Sequence, residues 1–261
     1  MIFARDIYTL DNHEMVLNDP DKIDKIRADI KAGDTYIFKQ VIPQETLSKI
    51  RNYLTQIGSN SLPNYRAIER NCPNFHRLNR WDSRAYVKGC FHQFVFFPWN
   101  EDVFDLFNLC RPVYQMKNLL SGLSANKFLG KTPEDDCTAR LAFQFYPAGL
   151  GGLNKHTDPV DSHQLTVPTM MLSQKGVDFH QGGAYVEPEN GDRIFLDDFC
   201  GWGDVVYFNA QILHGVERID PDVQPDWLSF QGRWMLLFAV NKLSSNKTIS
   251  DSVDLEIKEK S

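Results

Sequence analysis

Apolar and polar positions follow two different rhythms along the chain. In residues 1–60 the helical spacing of three and four dominates. Asp19-Pro20-Asp21 opens a polar helix to about Lys31, with a capping side chain and acids in the first turn. Thr35-Tyr36-Ile37-Phe38 reads as a strand. Pro43 and Glu45 start a second helix, with Leu47, Ile50, Leu54 and Ile57 along one face and Gly58 closing it. Residues 59–100 hold no sustained period, although Phe91 to Trp99 is an aromatic, strand-like run. Residues 101–123 read as one long helix with Val103, Phe104, Phe107, Val113, Met116 and Leu120 on a broad face, kinked at Pro112.

From Cys137 the period becomes two. Segments 138–146, 153–157, 164–172, 182–187, 193–198, 204–209, 213–219 and 233–241 are strand-like and are bounded by Gly, Pro, Asn or Asp. Eight short strands in succession predict a sandwich or barrel. Residues 244–261 are polar and mixed in charge, and read as a frayed tail. The expected organisation is a single domain over 1–243, with a helical and loop region at 1–137 and a β core at 138–243. The fold class is mostly β with flanking helices (α+β).

Composition narrows the function. The 261 residues are 42% hydrophobic and 24% charged, which excludes a wholly disordered chain. A net charge of −6 disfavours a dedicated nucleic-acid binder. No run approaches a membrane span. The first twenty residues carry acids where a secretory leader needs basic residues, so a cytoplasmic protein is expected. The five cysteines are scattered and form no CxxC pair, which points away from a disulfide framework or a cysteine-based zinc site. The net charge conceals one basic stretch. Between Asn64 and Lys88 lie Arg66, Arg70, Arg77, Arg80, Arg84 and Lys88 against Glu69 and Asp82, interleaved with Tyr65, Phe75, His76 and Trp81. Either this is a solvated loop or it faces an anionic substrate.

The sharpest chemical signal is His156-Thr157-Asp158 with His214 further along (214 − 156 = 58). On a strand, positions i and i+2 share a face, so His156 and Asp158 can converge, and a later strand can add His214. Two imidazoles and a carboxylate on one face of a metal leave other positions open, the ligand pattern of non-haem Fe(II) oxygenases. The pattern HxD alone recurs by chance. Its context here is a Gly-rich loop before it, an apolar strand before His214, and Arg233 opening a final apolar strand.

In that context residues 141–243 resemble the Fe(II)- and 2-oxoglutarate-dependent dioxygenases. The matching pieces are Gln144-Phe145-Tyr146-Pro147, His156-Thr157-Asp158-Pro159, Gly182-Gly183-Ala184-Tyr185, Gly203-Asp204-Val205-Val206-Tyr207-Phe208, Leu213-His214-Gly215-Val216 and Gly232-Arg233-Trp234. The resemblance implies a double-stranded β-helix (jelly-roll, cupin-like) core behind a helical N-terminal region. It implies His156, Asp158 and His214 as iron ligands, with Fe(II), 2-oxoglutarate and O2 as cofactor and co-substrates. Arg233 is implied as the anchor of the distal carboxylate of 2-oxoglutarate, a task suited to a guanidinium fork. The gap from His214 to Arg233 is 19 (233 − 214), longer than the family's usual spacing, and residues 220–231 look inserted. Arg218 is therefore a rival anchor. Tyr146 and Gln144 share a face and either reach the co-substrate pocket or are half-buried strand residues. Halogenases of this superfamily lack a carboxylate at the position of Asp158, so hydroxylation or a related oxidation is favoured.

The resulting expectation is a hydroxylase of a small, anionic molecule such as a free amino acid or a biosynthetic intermediate, releasing succinate and CO2. A peptide or protein side-chain hydroxylase is the first alternative. A cupin-like metal-binding or sensing module without catalysis is the second, and the complete triad with Arg233 counts against it. Asp161, Ser162 and His163 are placed to line the site's mouth. His180 is placed to touch substrate. His76 and His92 read as packing residues.

Overall fold

A computed structural model of the chain describes residues 2–161 and 163–256. Its centre is a curled sheet folded into two facing layers. The two longest strands, β5 (Cys137–Pro147) and β12 (Gly232–Lys242), pair antiparallel along their whole length. Alternation gives each two different faces. Trp234, Leu236 and Phe238 join Leu141, Phe143 and Phe145 in the main apolar core outside the barrel. Arg233, Met235 and Leu237, with Gln144 and Tyr146, take the opposite, concave face.

The first layer continues from β12 through β7 (Thr169–Met171), β10 (Val205–Tyr207) and β2 (Thr35–Phe38) to β1 (Ile7–Leu10). On the other side of β5 lie β4 (Gly89–Phe96) and β3 (Phe75–Arg80). The second layer is β6 (Gly152–Thr157), β11 (His214–Glu217), β8 (Gly183–Val186) and β9 (Ile194–Phe195). β6 continues the course of β5 past the turn at 148–151, and both pair with β4. This is the double-stranded β-helix arrangement, and each of the eight segments assigned from the period of two contains a strand of it, although 164–172 is strand only at Thr169–Met171 and 193–198 only at Ile194–Phe195, after which Leu196–Asp198 turn as a 3-10 helix.

Helices α1 (His13–Leu17), α2 (Pro20–Ala32), α3 (Gln44–Asn60), α4 (Leu106–Leu109) and α5 (Arg111–Leu120) supply part of that outer core. α2 begins as expected, with the Asp19 side chain accepting from Lys22 N at 3.2 Å. Ile50 and Leu54 of α3, and Val113, Tyr114 and Met116 of α5, are buried in the same core as Phe143 and Trp234.

The structure departs from the sequence reading in four further places. Gly58 does not end α3, which runs on to Asn60; a Cβ at Gly58 would collide with Phe230 Cζ, so the glycine serves close packing. Residues 101–123 form two short helices, because the Asp102 carboxylate holds 102–106 in a turn through Phe104 N and Leu106 N. Pro112 then sits in the first turn of α5, where its missing N–H costs no hydrogen bond. The stretch 59–100 contains the hairpin of β3 and β4. Finally, the segment after Leu243 is not frayed over its described part: β13 (Val253–Asp254) pairs with β6, and Leu255 N donates to Lys155 O.

Candidate metal centre

β6 delivers His156 at its penultimate position and Asp158 just beyond its end, where Asp158 N donates to Ala210 O at 2.8 Å. β11 starts at His214, directly opposite His156 in the ladder, with ring centroids 4.1 Å apart. The Asp158 carboxylate closes the group: Oδ1 is 3.9 Å from His156 Nε2 and Oδ2 is 3.6 Å from His214 Nε2. One ligand atom from each residue lies within 4.8 Å of the others. Thr157, between the two β6 residues, points to the other face by strand alternation.

The imidazole tautomers follow from their neighbours. His156 Nδ1 is 2.8 Å from Asn154 O, and His214 Nδ1 is 2.8 Å from Ile212 O. A carbonyl only accepts, so each Nδ1 carries the proton and each Nε2 keeps its lone pair toward Asp158. Burial and the His214 charge lower the pKa of His156 to about 4, against an opposing pull from Asp158. Burial alone would raise the Asp158 carboxyl, but hydrogen bonding and charge from His214 and His156, with a hydrogen bond from Ser252, hold it well below the usual range. At neutral pH His156 is therefore neutral and Asp158 ionised, as metal ligation requires.

Arg233 lies on the concave face of β12 and is fully buried. Gly232 before it has a φ of +141°, and a Cβ there would collide with Tyr146 O, so the approach of β12 to β5 depends on glycine. Arg233 Nε donates to both Asp197 oxygens at 2.9 Å, Nη2 contacts Met171 Sδ at 3.3 Å, and Nη1 has no partner. Asp197 also accepts from Ala184 N at 2.6 Å. Tyr146 lies under the guanidinium at 5.8 Å and donates to Gln144 Oε1 at 2.6 Å. Arg218 is elsewhere: its Nε donates to Gly149 O at 2.6 Å, and it lines a groove with Trp81, Tyr185 and Glu217.

The other candidates separate. His163 is buried with Nδ1 unpaired, and burial with the Lys117 charge lowers its pKa to about 4. Asp161 accepts from Ser250 N. Ser162 lies outside the described residues. The His180 backbone N–H donates to Asp220, and the residue lines a groove with Lys175 and Asp198. His76 and His92 stack on each other and on Phe94. The basic stretch also divides: Arg84 pairs with Asp82, Lys88 Nζ is spent on three backbone carbonyls, and Arg77 takes a half-buried place on β3.

Several neighbours of the site escaped the sequence reading. Asp197 and Ser252 touch Arg233 and Asp158 from segments distant in sequence, and no local pattern marks them. Arg140 did carry a signal, since it is four positions from Gln144 and so shares its face of β5.

No family model and no curated relative matches the chain. Solved structures do match. A Pseudomonas putida prolyl-4-hydroxylase aligns with a TM-score of 0.52 at 11% identity, covering 84% of this chain and 98% of that one. JOX2 in complex with 2OG, Fe and JA gives 0.52 at 15% identity, covering 97% and 79%. A full-length Neurospora crassa protein in complex with alpha-KG and thymine gives 0.54 at 12% identity, covering 90% and 85%. By its strand order and by these similarities, the chain has the double-stranded β-helix fold of these structures.

Proposed function

We propose that the chain is an Fe(II)- and 2-oxoglutarate-dependent dioxygenase that hydroxylates a small anionic molecule, such as a free amino acid, with release of succinate and CO2. The observation that carries this is the triad: two imidazoles of fixed tautomer and one ionised carboxylate, with their free ligand atoms gathered within 4.8 Å. This donor set fits iron and leaves positions for O2 and an organic co-substrate. Residues 1–243 are proposed to act as one catalytic domain, since β2 and β4 of the N-terminal half are strands of the same sheet as β5 and β12. The relatives in fold include structures with 2OG and Fe, with alpha-KG and thymine, and a prolyl-4-hydroxylase, all consistent with this class.

His156, Asp158 and His214 would hold the iron, and Arg233 the distal carboxylate of 2-oxoglutarate. The unpaired Nη1 of Arg233 supports the second assignment, because a fully buried N–H donor without an acceptor costs stability unless a ligand supplies one. Asp197 fixes the guanidinium plane through Nε. Tyr146 and Gln144, bonded to each other, form the wall beside it and restrict how the co-substrate can lie. Arg218 is left to hold the loop at Gly149. Bound iron and 2-oxoglutarate supply O2 activation, with oxidation of the co-substrate driving oxygen insertion into a C–H bond. The chain contributes two imidazoles whose Nδ1 atoms are held by backbone carbonyls and a carboxylate kept ionised by its neighbours.

The direct test is succinate release from purified protein with Fe(II), 2-oxoglutarate and O2, screened against free amino acids and then peptides. Turnover with wild type and none with Asp158→Ala is expected. A protein that binds no Fe(II) and oxidises no 2-oxoglutarate with any substrate would refute the reading and leave the non-catalytic alternative. Turnover stimulated only by peptides would replace the small-molecule substrate.

A further inference from the structure

The concave face of the first layer carries two arginines that the 2-oxoglutarate reading does not use. Arg77 on β3 is opposite Gln93 on β4, and Gln93 is opposite Gln144 on β5. Directly opposed residues share a face, so Arg77 lies on the same side as Gln144 and Tyr146. Arg140 is on that side too, four positions before Gln144. It is separated from Tyr146 by six positions (146 − 140), about 20 Å of strand, and Tyr146 is the cross-strand partner of Arg233. Arg140 and Arg233 thus mark opposite ends of the face.

The triad adjoins the Arg140 end. Arg140 pairs with Ala239, which packs with Val167, Ala210 and Val160, and the Ala210 carbonyl holds Asp158 N.

Neither guanidinium has a carboxylate in direct contact among the described residues; Asp82 acts on Arg77 and Asp158 on Arg140 only from a distance. Neither forms an ion pair among the described residues, and Nε of each is buried without a hydrogen-bond acceptor. Arg77 covers the Tyr65 ring at 5.1 Å, and Tyr65 and Asp82 partly offset its burial. Arg140 is held down to about 10 by burial and then by the Arg77 charge, with Tyr114, Asp158 and Tyr65 opposing. Two cations that feel each other, half-buried and without a carboxylate in direct contact, are costly in a folded protein. Both side chains remain partly open to solvent, so a ligand can reach them.

We propose that Arg140 and Arg77 together bind an oxyanion, a carboxylate or phosphate group, of the substrate. Assigning that group to the substrate rests on the dioxygenase reading above; binding of an oxyanion at this place does not. Arg140 and Arg77 then form an anion subsite beside the triad, while Arg233 serves the co-substrate at the far end of the face. Two separate cationic poles would let one site take two anionic molecules without exchanging their places.

The test titrates the full metal-free chain with acetate and with methyl phosphate by calorimetry, which also distinguishes the two oxyanion sources. Binding of at least one is expected. It should weaken by about tenfold or more in Arg77→Gln and in Arg140→Gln, the loss of a charge-assisted bond, and remain unchanged in Arg70→Gln on the exposed surface. If a glutamine variant loses its circular-dichroism spectrum, Arg77→Lys and Arg140→Lys keep the charge but lose the planar fork, and should show a smaller loss in the same direction. Wild type that binds neither probe, or binding that is indifferent to 77 and 140 but lost in Arg233→Lys, overturns the proposal. Succinate formation without oxyanion binding defeats this subsite and spares the dioxygenase reading. Oxyanion binding without any 2-oxoglutarate turnover does the reverse.

Discussion

The Ser252 hydroxyl donates to Asp158 Oδ1 at 2.5 Å, which joins the last described stretch of the chain to the carboxylate of the triad. The contact is held in register by β13 on β6, and by Asp254, which accepts from Lys88 N at 2.8 Å and from Asn154 Nδ2. A hydroxyl that orients a metal-binding carboxylate typically matters by about tenfold in metal affinity. Ser252→Ala is therefore expected to weaken binding of a divalent metal about tenfold, with little change in unfolding midpoint. Chelator competition with the purified variant checks this. An affinity equal to wild type would mean that the serine merely occupies a gap.

Arg233 and Asp197 form a fully buried ion pair, so the two proposed anchors of 2-oxoglutarate can be separated by stability as well as affinity. Arg233→Ala strands a buried carboxylate and should cost about 3–5 kcal/mol. Arg233→Lys keeps a charge but loses the fork. It should fold and raise the apparent dissociation constant for 2-oxoglutarate at least about tenfold. Arg218→Ala should leave that constant within about twofold, because it removes only a loop hydrogen bond. A large loss in Arg218→Ala and none in Arg233→Lys would reverse the assignment.

Lys117 is buried in α5 with no hydrogen-bond partner on Nζ, and burial lowers its pKa to about 7. The unfolded chain binds this proton up to a pH near 10.5, so between roughly 7 and 10.5 the unfolded state holds more protons than the folded one. Stability should rise with pH across that window and show its full deficit below it. Lys117→Met removes the buried ammonium at similar volume. It should stabilise by about 1–4 kcal/mol at pH 7 and flatten the rise toward pH 10. Denaturant unfolding at both values checks the slope; equal slopes in variant and wild type would show that the ammonium reaches water.

What the sequence made legible follows from range. The positions of the core strands, and the meeting of His156 with Asp158, were readable because alternation and the i, i+2 rule act within one segment, although β7 and β9 proved shorter than their segments. Asp197 and Ser252 were not, since each meets its partner through tertiary approach: 36 residues separate Asp197 from Arg233, and 94 separate Ser252 from Asp158. The tail misled for a related reason. Its polar composition suits a strand that pairs through its backbone at a sheet edge, where side-chain alternation is not required.

Gly58 shows the same limit and gives a direct test. After an amphipathic run a glycine normally signals a helix end, and replacing a mid-helix glycine by alanine should gain about 1 kcal/mol of propensity. Here a new Cβ would collide with Phe230 Cζ, and would lie 2.8 Å from its Cε1 and 3.0 Å from Phe94 Cζ. Phe230 cannot swing away freely, because its ring packs against His92, Phe145 and Trp234 at centroid distances of 5.2, 5.0 and 5.9 Å. Overpacking of this kind costs about 1–3 kcal/mol, more than the propensity returns. Gly58→Ala is thus expected to lower stability by up to about 2 kcal/mol net, whereas Ser59→Ala, on the exposed side of the same helix, stays within about 0.5 kcal/mol of wild type. Thermal unfolding of the two variants side by side decides between them. A Gly58→Ala protein as stable as wild type would mean that the aromatic stack behind α3 yields, and with it the packing that seats the 220–231 insertion.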